Sequence, residues 1–209
     1  MPERGATMPE RGATMREGPL GGDAMIGART RLVPDGRGAD TVGVLAVGGQ
    51  LPDFELLDHA GNRRQLSQLV GGDPTVVQFY RGWWCPKEQT FFRRLLALQD
   101  DAEVAYSRIL SVSVDTPEVN AAFRAGLGAR WTFLSDPDRE VQTQLRLRET
   151  TDTLHDPYVP AIVVIDPELR IHTAYNGYWY RGRPAHEELV IDLRELSRAL
   201  RPDWEAPTP

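Results

Sequence analysis

The sequence predicts an α/β sandwich in which helices flank a mixed central sheet. Three observations support this fold class. Short apolar runs typical of buried strands alternate with longer segments of helical periodicity. Two of the helical segments begin with a proline directly after a residue suited to capping a helix. Towards the C-terminus, two apolar runs joined by a short turn predict a hairpin, and a closing helix follows.

Composition limits the classes of function. The 209 residues suffice for one domain with a full core, and the 41% hydrophobic content is typical of a soluble globular protein. The net charge of −6 argues against a general nucleic-acid or anionic-membrane surface. No apolar run approaches the roughly 18 residues of a membrane span, and the N-terminus lacks the apolar core of a secretory leader. The single cysteine excludes an intramolecular disulfide, and we expect a cytoplasmic protein.

The N-terminal region differs in composition from the rest of the chain. Its first 14 residues are two copies of one heptapeptide, Met-Pro-Glu-Arg-Gly-Ala-Thr, and glycine, arginine and aspartate follow without apolar periodicity. We therefore expect residues 1–48 to form a disordered tail. Residues 49–201 are predicted to form a single domain, and residues 202–209 a short C-terminal tail.

The first half of the domain contains three predicted strands and two helical segments. Order is expected to begin at an edge strand that includes Pro52, because an edge strand tolerates a residue without an N–H donor. The apolar runs and stripes then predict, in order, an edge strand at 50–57, a short helix at 64–69, a core strand at 75–80, a helix from 88 to about 103 and a strand at 108–114.

The second half begins with the clearest helix signal. Thr116 is a suitable cap, Pro117 suits the first helical position and Gly128 follows the predicted end at Leu127. The remaining predicted elements are a strand at 132–134, a helix from 136 to about 145, a strand at 161–165, its hairpin partner at 170–175 and a helix at 184–200.

The only cysteine, Cys85, lies where the predicted core strand turns into a helix. Cys85 would be the helix N-cap, Pro86 the first helical residue and Glu88 an acid in the first turn. Free N–H groups and the helix dipole favour an anion at this position, and the thiolate is the nucleophilic form of cysteine. The alternative is a small buried residue without chemistry, but the N-cap setting favours the catalytic interpretation.

The sequence resembles the thioredoxin-fold superfamily, and within it the peroxiredoxin-like family of alkyl hydroperoxide reductases and thiol-specific antioxidant proteins. The resemblance extends over about residues 49–200. It rests on the order and spacing of five blocks: Leu-Pro-Asp-Phe at 51–54, Phe-Tyr-Arg-Gly before Trp-Cys-Pro at 79–86, Val-Asp-Thr-Pro-Glu at 114–118, Phe-Leu-Ser-Asp-Pro at 133–137, and Val-Pro-Ala at 159–161.

The resemblance implies a thioredoxin-like fold with Cys85 as the redox cysteine. It also implies that Pro160 follows a cis peptide bond and faces that cysteine. Two departures bear on the chemistry. Glu88 stands where the second cysteine of Cys-x-x-Cys would be, and the proline and threonine that precede a typical peroxidase cysteine are replaced by Gln78 and Gly82.

Four residues around Cys85 are candidates for supporting or substrate-binding roles. Arg81 could donate hydrogen bonds to a peroxide, although a surface cation is an equal alternative. Trp84 could form an apolar wall beside the thiol. Glu88 is either a capping-box acid or a proton-handling group. Pro160 would dock substrate. Residues with weaker signals are Arg181, Arg183, Trp83 (favoured as core) and an aromatic-rich region favoured as a packed loop: His155, Tyr158, Tyr175, Tyr178, Trp179 and Tyr180.

The function that these residues indicate is reduction of a small hydroperoxide by Cys85, followed by resolution with an external thiol. A thiol oxidoreductase or transferase acting through a mixed disulfide is the first alternative, with a thiol or disulfide as substrate. A non-catalytic binding module is the second. The histidines show no metal-ligand spacing with Cys85, so we expect neither metal nor cofactor, and no nucleic acid or membrane partner. A homodimer remains open.

Overall fold

The computed structural model describes Thr30, Arg31 and residues 45–176 and 183–203. Within these residues one mixed sheet has helices on both faces. Its strands are β1 (Thr30–Arg31), β2 (Glu55–Asp58), β3 (Arg63–Gln65), β4 (Thr75–Phe79), β5 (Arg108–Ser113), β6 (Thr132–Ser135), β7 (Ala161–Ile165) and β8 (Ile171–Asn176). The helices of this part are α1 (Leu66–Val70), α2 (Pro86–Val104), α3 (Pro117–Leu127), α4 (Glu140–Gln144) and α5 (His186–Leu200).

The order of the strands places three chain segments at one edge of the sheet. The strands run β1-β8-β7-β4-β5-β6-β2-β3, and β4, β5 and β6 are parallel while β7 is antiparallel to β4. At the end of β4, Phe79 pairs with Val112 near the end of β5 and with Ala161 at the start of β7. The segments that follow β4 and β5 and that precede β7 therefore lie close together, and this is where Cys85 lies.

The two faces of the sheet carry separate apolar layers. Helices α2, α3 and α5 cover one face, where Phe92 is stacked on Phe133 and Trp131 and contacts Tyr80 edge-on. Helices α1 and α4 cover the other face. The fully buried apolar side chains of that layer include Leu45, Leu51, Leu66, Val70, Phe79, Leu145, Leu147 and Tyr158.

A buried amide joins α3 to the sheet. Asn120 accepts a hydrogen bond from the Tyr80 hydroxyl (2.6 Å), and its amide nitrogen donates to Ser135 Oγ (2.8 Å) and to the Leu134 carbonyl (3.2 Å). Because a buried polar group is costly without partners, this network fixes α3 against β4 and β6.

Most predicted elements are present, with three differences at their limits. The helix predicted at 64–69 begins only at Leu66, because Arg63–Gln65 form β3, which pairs with β2. The edge strand is confined to β2, since Leu51 bonds instead to the Leu169 carbonyl (2.8 Å). Helix α4 begins at Glu140 rather than at Asp136. The Asp136 carboxylate accepts the Gln142 N–H (2.9 Å) and the Tyr158 hydroxyl (2.5 Å), while Arg139 adopts a left-handed conformation with φ of 61°.

The packed domain includes residues before the predicted boundary at 49. Leu45 is fully buried in the core, and β1 pairs with β8 at Ala174 and Tyr175. The rest of the predicted tail of residues 1–48 lies outside the described residues, as do residues 204–209. Among the described helices none is long and apolar enough to cross a membrane.

We predict that Leu45→Ala lowers the free energy of unfolding by about 2–5 kcal/mol, because it leaves a cavity in a packed layer. The matched control is Leu154→Ala, since Leu154 is 84% exposed and should change stability by less than about 0.5 kcal/mol. Urea denaturation of both variants measures the difference. Equal stabilities would show that the segment before residue 49 does not pack on the domain.

Candidate active site

Cys85 lies at the N-terminus of α2, as the sequence predicts. It is the N-cap residue with extended backbone (φ −80°, ψ 116°), Pro86 is the first helical residue, and the Cys85 N–H donates to the Gly82 carbonyl (3.2 Å). The thiol is free and only 2% exposed. A reagent can therefore reach the sulfur only if it is small or if the surrounding side chains move.

Glu88 does not act as a capping-box acid. Its side chain is fully buried, and its Oε1 atom accepts the backbone N–H of Arg81 (3.4 Å) and forms an ion pair with the Arg183 guanidinium. Glu88 Oε2 has no hydrogen-bond partner among the described residues. The carboxyl group thus links the first turn of α2 to the loop that follows β4 and to the segment that precedes α5.

The protonation of Glu88 is shifted by its surroundings. Burial raises the pKa of this carboxyl group above its ordinary value of 4.5, against the opposing effects of Arg183 and of the Arg81 N–H. The proton-handling interpretation of Glu88 stays a prediction, and the raised pKa is compatible with it.

A cluster around the Trp84 indole connects the Cys85 corner to the loop of residues 149–156. The His155 ring stacks on the indole, with centroids 3.8 Å apart and planes 19° apart, and the Arg81 guanidinium lies 4.9 Å from the centroid. Asp152 binds both partners: its Oδ2 atom is 2.8 Å from Arg81 Nη2 and 3.1 Å from His155 Nδ1. Arg81 is therefore not a free surface cation.

Asp115 occupies the other side of the corner. Its Oδ2 atom accepts the Trp83 N–H (3.1 Å) and the Ser113 hydroxyl (3.1 Å), and burial raises the pKa of its carboxyl group. In the sequence, Asp115 stands out only as part of the Val-Asp-Thr-Pro-Glu block at 114–118. No local pattern marks Asp115 as a partner of the cysteine loop, because the two segments follow different strands.

Gly82 fits its position only because it lacks a side chain. Its φ is 141°, which residues with a Cβ atom rarely adopt. A Cβ atom there would lie 2.6 Å from Trp84 Nε1 and 3.2 Å from Asp115 Oδ2. The threonine of the typical peroxidase cannot occupy this backbone without displacing both side chains.

Pro160 lies beside the site, but the predicted cis peptide bond is wrong. No peptide bond among the described residues is cis. Pro160 lines two cavities: a cleft of about 390 Å³ with Arg81 and Lys87, and a smaller cavity with Glu88 and Arg183. Arg81, Trp84, Glu88 and Pro160 thus all lie around the loop before Cys85 and the start of α2. Arg183, through its ion pair with Glu88, lies there as well.

The weaker sequence candidates have different outcomes. Trp83 is 49% exposed, so its interpretation as a core residue is wrong. Tyr175 is buried and donates to Asp192 (2.6 Å), while Tyr158 is buried in the core. Arg181, Tyr178, Trp179 and Tyr180 lie outside the described residues. In the described part of the chain, no group of acidic, histidine and cysteine side chains could hold a metal ion.

We predict that the Glu88 carboxyl makes stability depend on pH in a defined direction. A group whose pKa is higher in the folded state binds more protons when folded, so its ionisation reduces stability as pH rises from about 4.5 through the raised pKa. Glu88→Gln removes this titration. The free energy of unfolding of wild type should therefore fall relative to that of Glu88→Gln over this range.

Urea titrations at several pH values test this prediction. Glu140→Gln is the control, since Glu140 is exposed at the start of α4. Parallel stability curves for wild type and Glu88→Gln would contradict it.

We also predict that Gly82→Thr destabilises the protein by about 1–3 kcal/mol, through backbone strain and contact with Trp84. Gly126→Ala is the control: nothing lies within 4 Å of the added Cβ in α3, and replacing a helical glycine should stabilise by up to about 1 kcal/mol. Denaturation with urea compares the two. A Gly82→Thr variant as stable as wild type would contradict the close packing of Trp84 and Asp115 against Gly82.

Similar proteins support the assignment of this fold and family. The sequence profile described as the AhpC/TSA family matches residues 47–174. The candidate peroxiredoxin Rv2521 of Mycobacterium tuberculosis is 36% identical over 102 residues, which are 47% of this chain and 62% of the relative. The alignment therefore spans less than two thirds of that relative's length.

Solved structures share the fold at low sequence identity. Peroxidoxin BcpB of Mycobacterium tuberculosis has a TM-score of 0.63 at 21% identity and covers 72% of this chain and 97% of its own. AhpC of the same organism has a TM-score of 0.63 at 19% identity, covering 74% and 94%. A thiol peroxidase from Chromobacterium violaceum has a TM-score of 0.61 at 19% identity, covering 72% and 87%.

These likenesses confirm the predicted thioredoxin-like fold. Because the family profile covers more than half of the sequence, including the Cys85 corner, the chain belongs to the AhpC/TSA family of peroxiredoxin-like proteins.

Proposed function

We propose that the protein is a thiol-dependent reductase of small hydroperoxides, with Cys85 as its one redox cysteine. The observation that carries the proposal is the position of this thiol at the N-terminus of a 19-residue helix, where free N–H groups and the helix dipole favour an anion. Membership of the AhpC/TSA family supports the same reaction class.

The first step is attack of the Cys85 thiolate on one oxygen of the peroxide. The new S–O bond forms as the O–O bond breaks, and the electron pair of the broken bond stays with the leaving oxygen. That oxygen takes up a proton and departs as water or an alcohol, while Cys85 becomes a sulfenic acid. The sulfur is oxidised by two electrons and the peroxide is reduced by two.

The second step needs a thiol from another molecule, because the chain has one cysteine. A thiol condenses with the sulfenic acid, releases water and leaves a mixed disulfide on Cys85. A second thiolate then attacks the sulfur of the external thiol, forms its disulfide and returns Cys85 to the thiolate.

Arg81 is the proposed donor to the leaving oxygen. It lines the cleft of about 390 Å³ together with Lys87 and Pro160, and its guanidinium keeps N–H groups beyond the one bound to Asp152. Donors held in place for a developing charge supply more of the rate than a low thiol pKa does. The 2% exposure of Cys85 supports a small substrate.

A thiol transferase acting through a mixed disulfide is the second candidate. The observation in its favour is Gly82, whose backbone excludes the threonine hydroxyl that would help to orient a peroxide. The two candidates differ in the first product on Cys85: a sulfenic acid for the peroxidase and a mixed disulfide for the transferase.

We predict that Cys85→Ser abolishes peroxide consumption while the fold survives, since serine is a good N-cap residue. Hydrogen peroxide loss in the presence of dithiothreitol measures turnover, and trapping with dimedone followed by mass spectrometry detects the sulfenic acid. Wild type should give one adduct at Cys85. Turnover by the folded serine variant would sink the proposal, and so would a wild-type protein that neither consumes peroxide nor forms the adduct.

A further inference from the structure

Asp152, in the loop of residues 149–156, has a carboxylate that reaches the Cys85 corner. Its side chain is 16% exposed. One oxygen, Oδ2, lies within hydrogen-bond distance of both the Arg81 guanidinium and the His155 ring, and the other, Oδ1, accepts the N–H groups of Leu154 (3.2 Å) and His155 (3.1 Å). The backbone N–H groups of the loop thus bind Oδ1, Arg81 binds Oδ2, and the His155 ring lies within reach of both oxygens.

The loop does not depend on the Arg81 contact to stay on the domain. Arg139 donates to the carbonyls of His155 (3.1 Å) and Asp156 (3.2 Å), and Gln142 Nε2 donates to the Asp156 carbonyl (3.0 Å). These bonds fix the C-terminal end of the loop to the α4 region. The Asp152–Arg81 pair is thus an added link between this anchored loop and the cysteine corner.

Arg81 needs such a link to hold one orientation. An arginine side chain has many rotamers, and fixing them costs conformational entropy. Packing on the Trp84 indole limits movement of the Arg81 guanidinium towards or away from the ring. The ion pair with Asp152, at 2.8 Å, limits its sliding across the face of the ring. Arg81 Nε is buried and has no hydrogen-bond partner among the described residues, so the guanidinium holds one donor that the fold leaves unsatisfied.

We propose that Asp152 is a positioning residue for the reaction at Cys85, acting through the Arg81 guanidinium. Asp152 holds Arg81 against Trp84 and so keeps the guanidinium in one place at the cleft that Arg81, Lys87 and Pro160 line, four residues before Cys85 in the chain. This inference rests on the proposed peroxide reduction and adds a residue 67 positions beyond the cysteine that no local motif marks. Misplacing an oriented donor by about 1 Å can cost up to about 100-fold in rate.

The test compares two reactions of Cys85 in Asp152→Asn. Asparagine retains the Oδ1 acceptor for the loop turn but loses the charge that binds Arg81. We expect the second-order rate with hydrogen peroxide to fall about tenfold or more. The rate with iodoacetamide, which reports thiolate and access but needs no donor to a leaving peroxide oxygen, should stay within about twofold. Asp138→Asn, an exposed position, is the control and should match wild type in both.

A double-mutant cycle identifies the route of the effect. If Asp152 acts through Arg81, then Asp152→Asn should change the peroxide rate by less than about twofold in an Arg81→Gln background. Asp152→Glu retains the carboxylate and should recover most of the wild-type peroxide rate, which a purely structural defect would not predict.

Three results would overturn the inference: a wild-type peroxide rate in Asp152→Asn, an equal fall in the iodoacetamide and peroxide rates, or an undiminished effect of Asp152→Asn when Arg81 is already absent. All three comparisons are made with a wild-type protein that consumes peroxide through Cys85. A wild type without peroxide turnover overturns the proposed function instead, and the two failures are thereby distinguished.

Discussion

The arrangement around Cys85 depends on the burial of one carboxyl group, that of Glu88. The first turn of α2 places this side chain inside the domain, where it meets the Arg81 N–H and the Arg183 guanidinium. Burial raises the pKa of this carboxyl group, against the opposing effects of both partners. A buried ion pair is weak support for stability in general, and here its effect is geometric. It fixes the helix start, the cysteine loop and the segment before α5 in one position.

The Trp84 cluster adds a second constraint on the same corner from another part of the chain. Arg81 contributes to both: its backbone N–H binds Glu88, and its guanidinium binds Asp152 and packs on Trp84. Backbone and side chain of one residue thus connect a buried electrostatic pair with an exposed loop. A change at Glu88 or at Asp152 should therefore alter the position of Arg81, four residues before Cys85.

Local signals were enough to predict the fold and the position of the nucleophile. The N-cap, proline and acid of α2 lie within four consecutive residues, and the strands and longer helices follow from period and apolar content. The start of α4 was placed too early because the Asp136 side chain, rather than the backbone pattern, decides where that helix begins. The burial of Leu45 is not decided locally either, since the apolar run at 44–47 is only four residues long and its side chains become core residues only against the sheet that they cover.

The partners in the site could not be found in this way. Arg81 and Asp152 are 71 residues apart, and Glu88 and Arg183 are 95 apart, so each pairing depends on which loops the sheet brings to one edge. Sequence reasoning named Arg81, Glu88 and Pro160 as separate candidates. It could not show that the first two share a hydrogen bond, or that Asp115 lies against the glycine between them.

The close contacts at Gly82 also constrain how this site can change over evolutionary time. Trp84 and Asp115 fill the space beside that glycine, and the Trp84 indole is in turn held by His155 and Arg81. Because these five side chains and backbone positions contact one another, the effect of a substitution at one of them depends on which residues occupy the others. Introducing a hydroxyl residue at position 82 therefore requires coordinated replacements at Trp84 and Asp115 rather than one change.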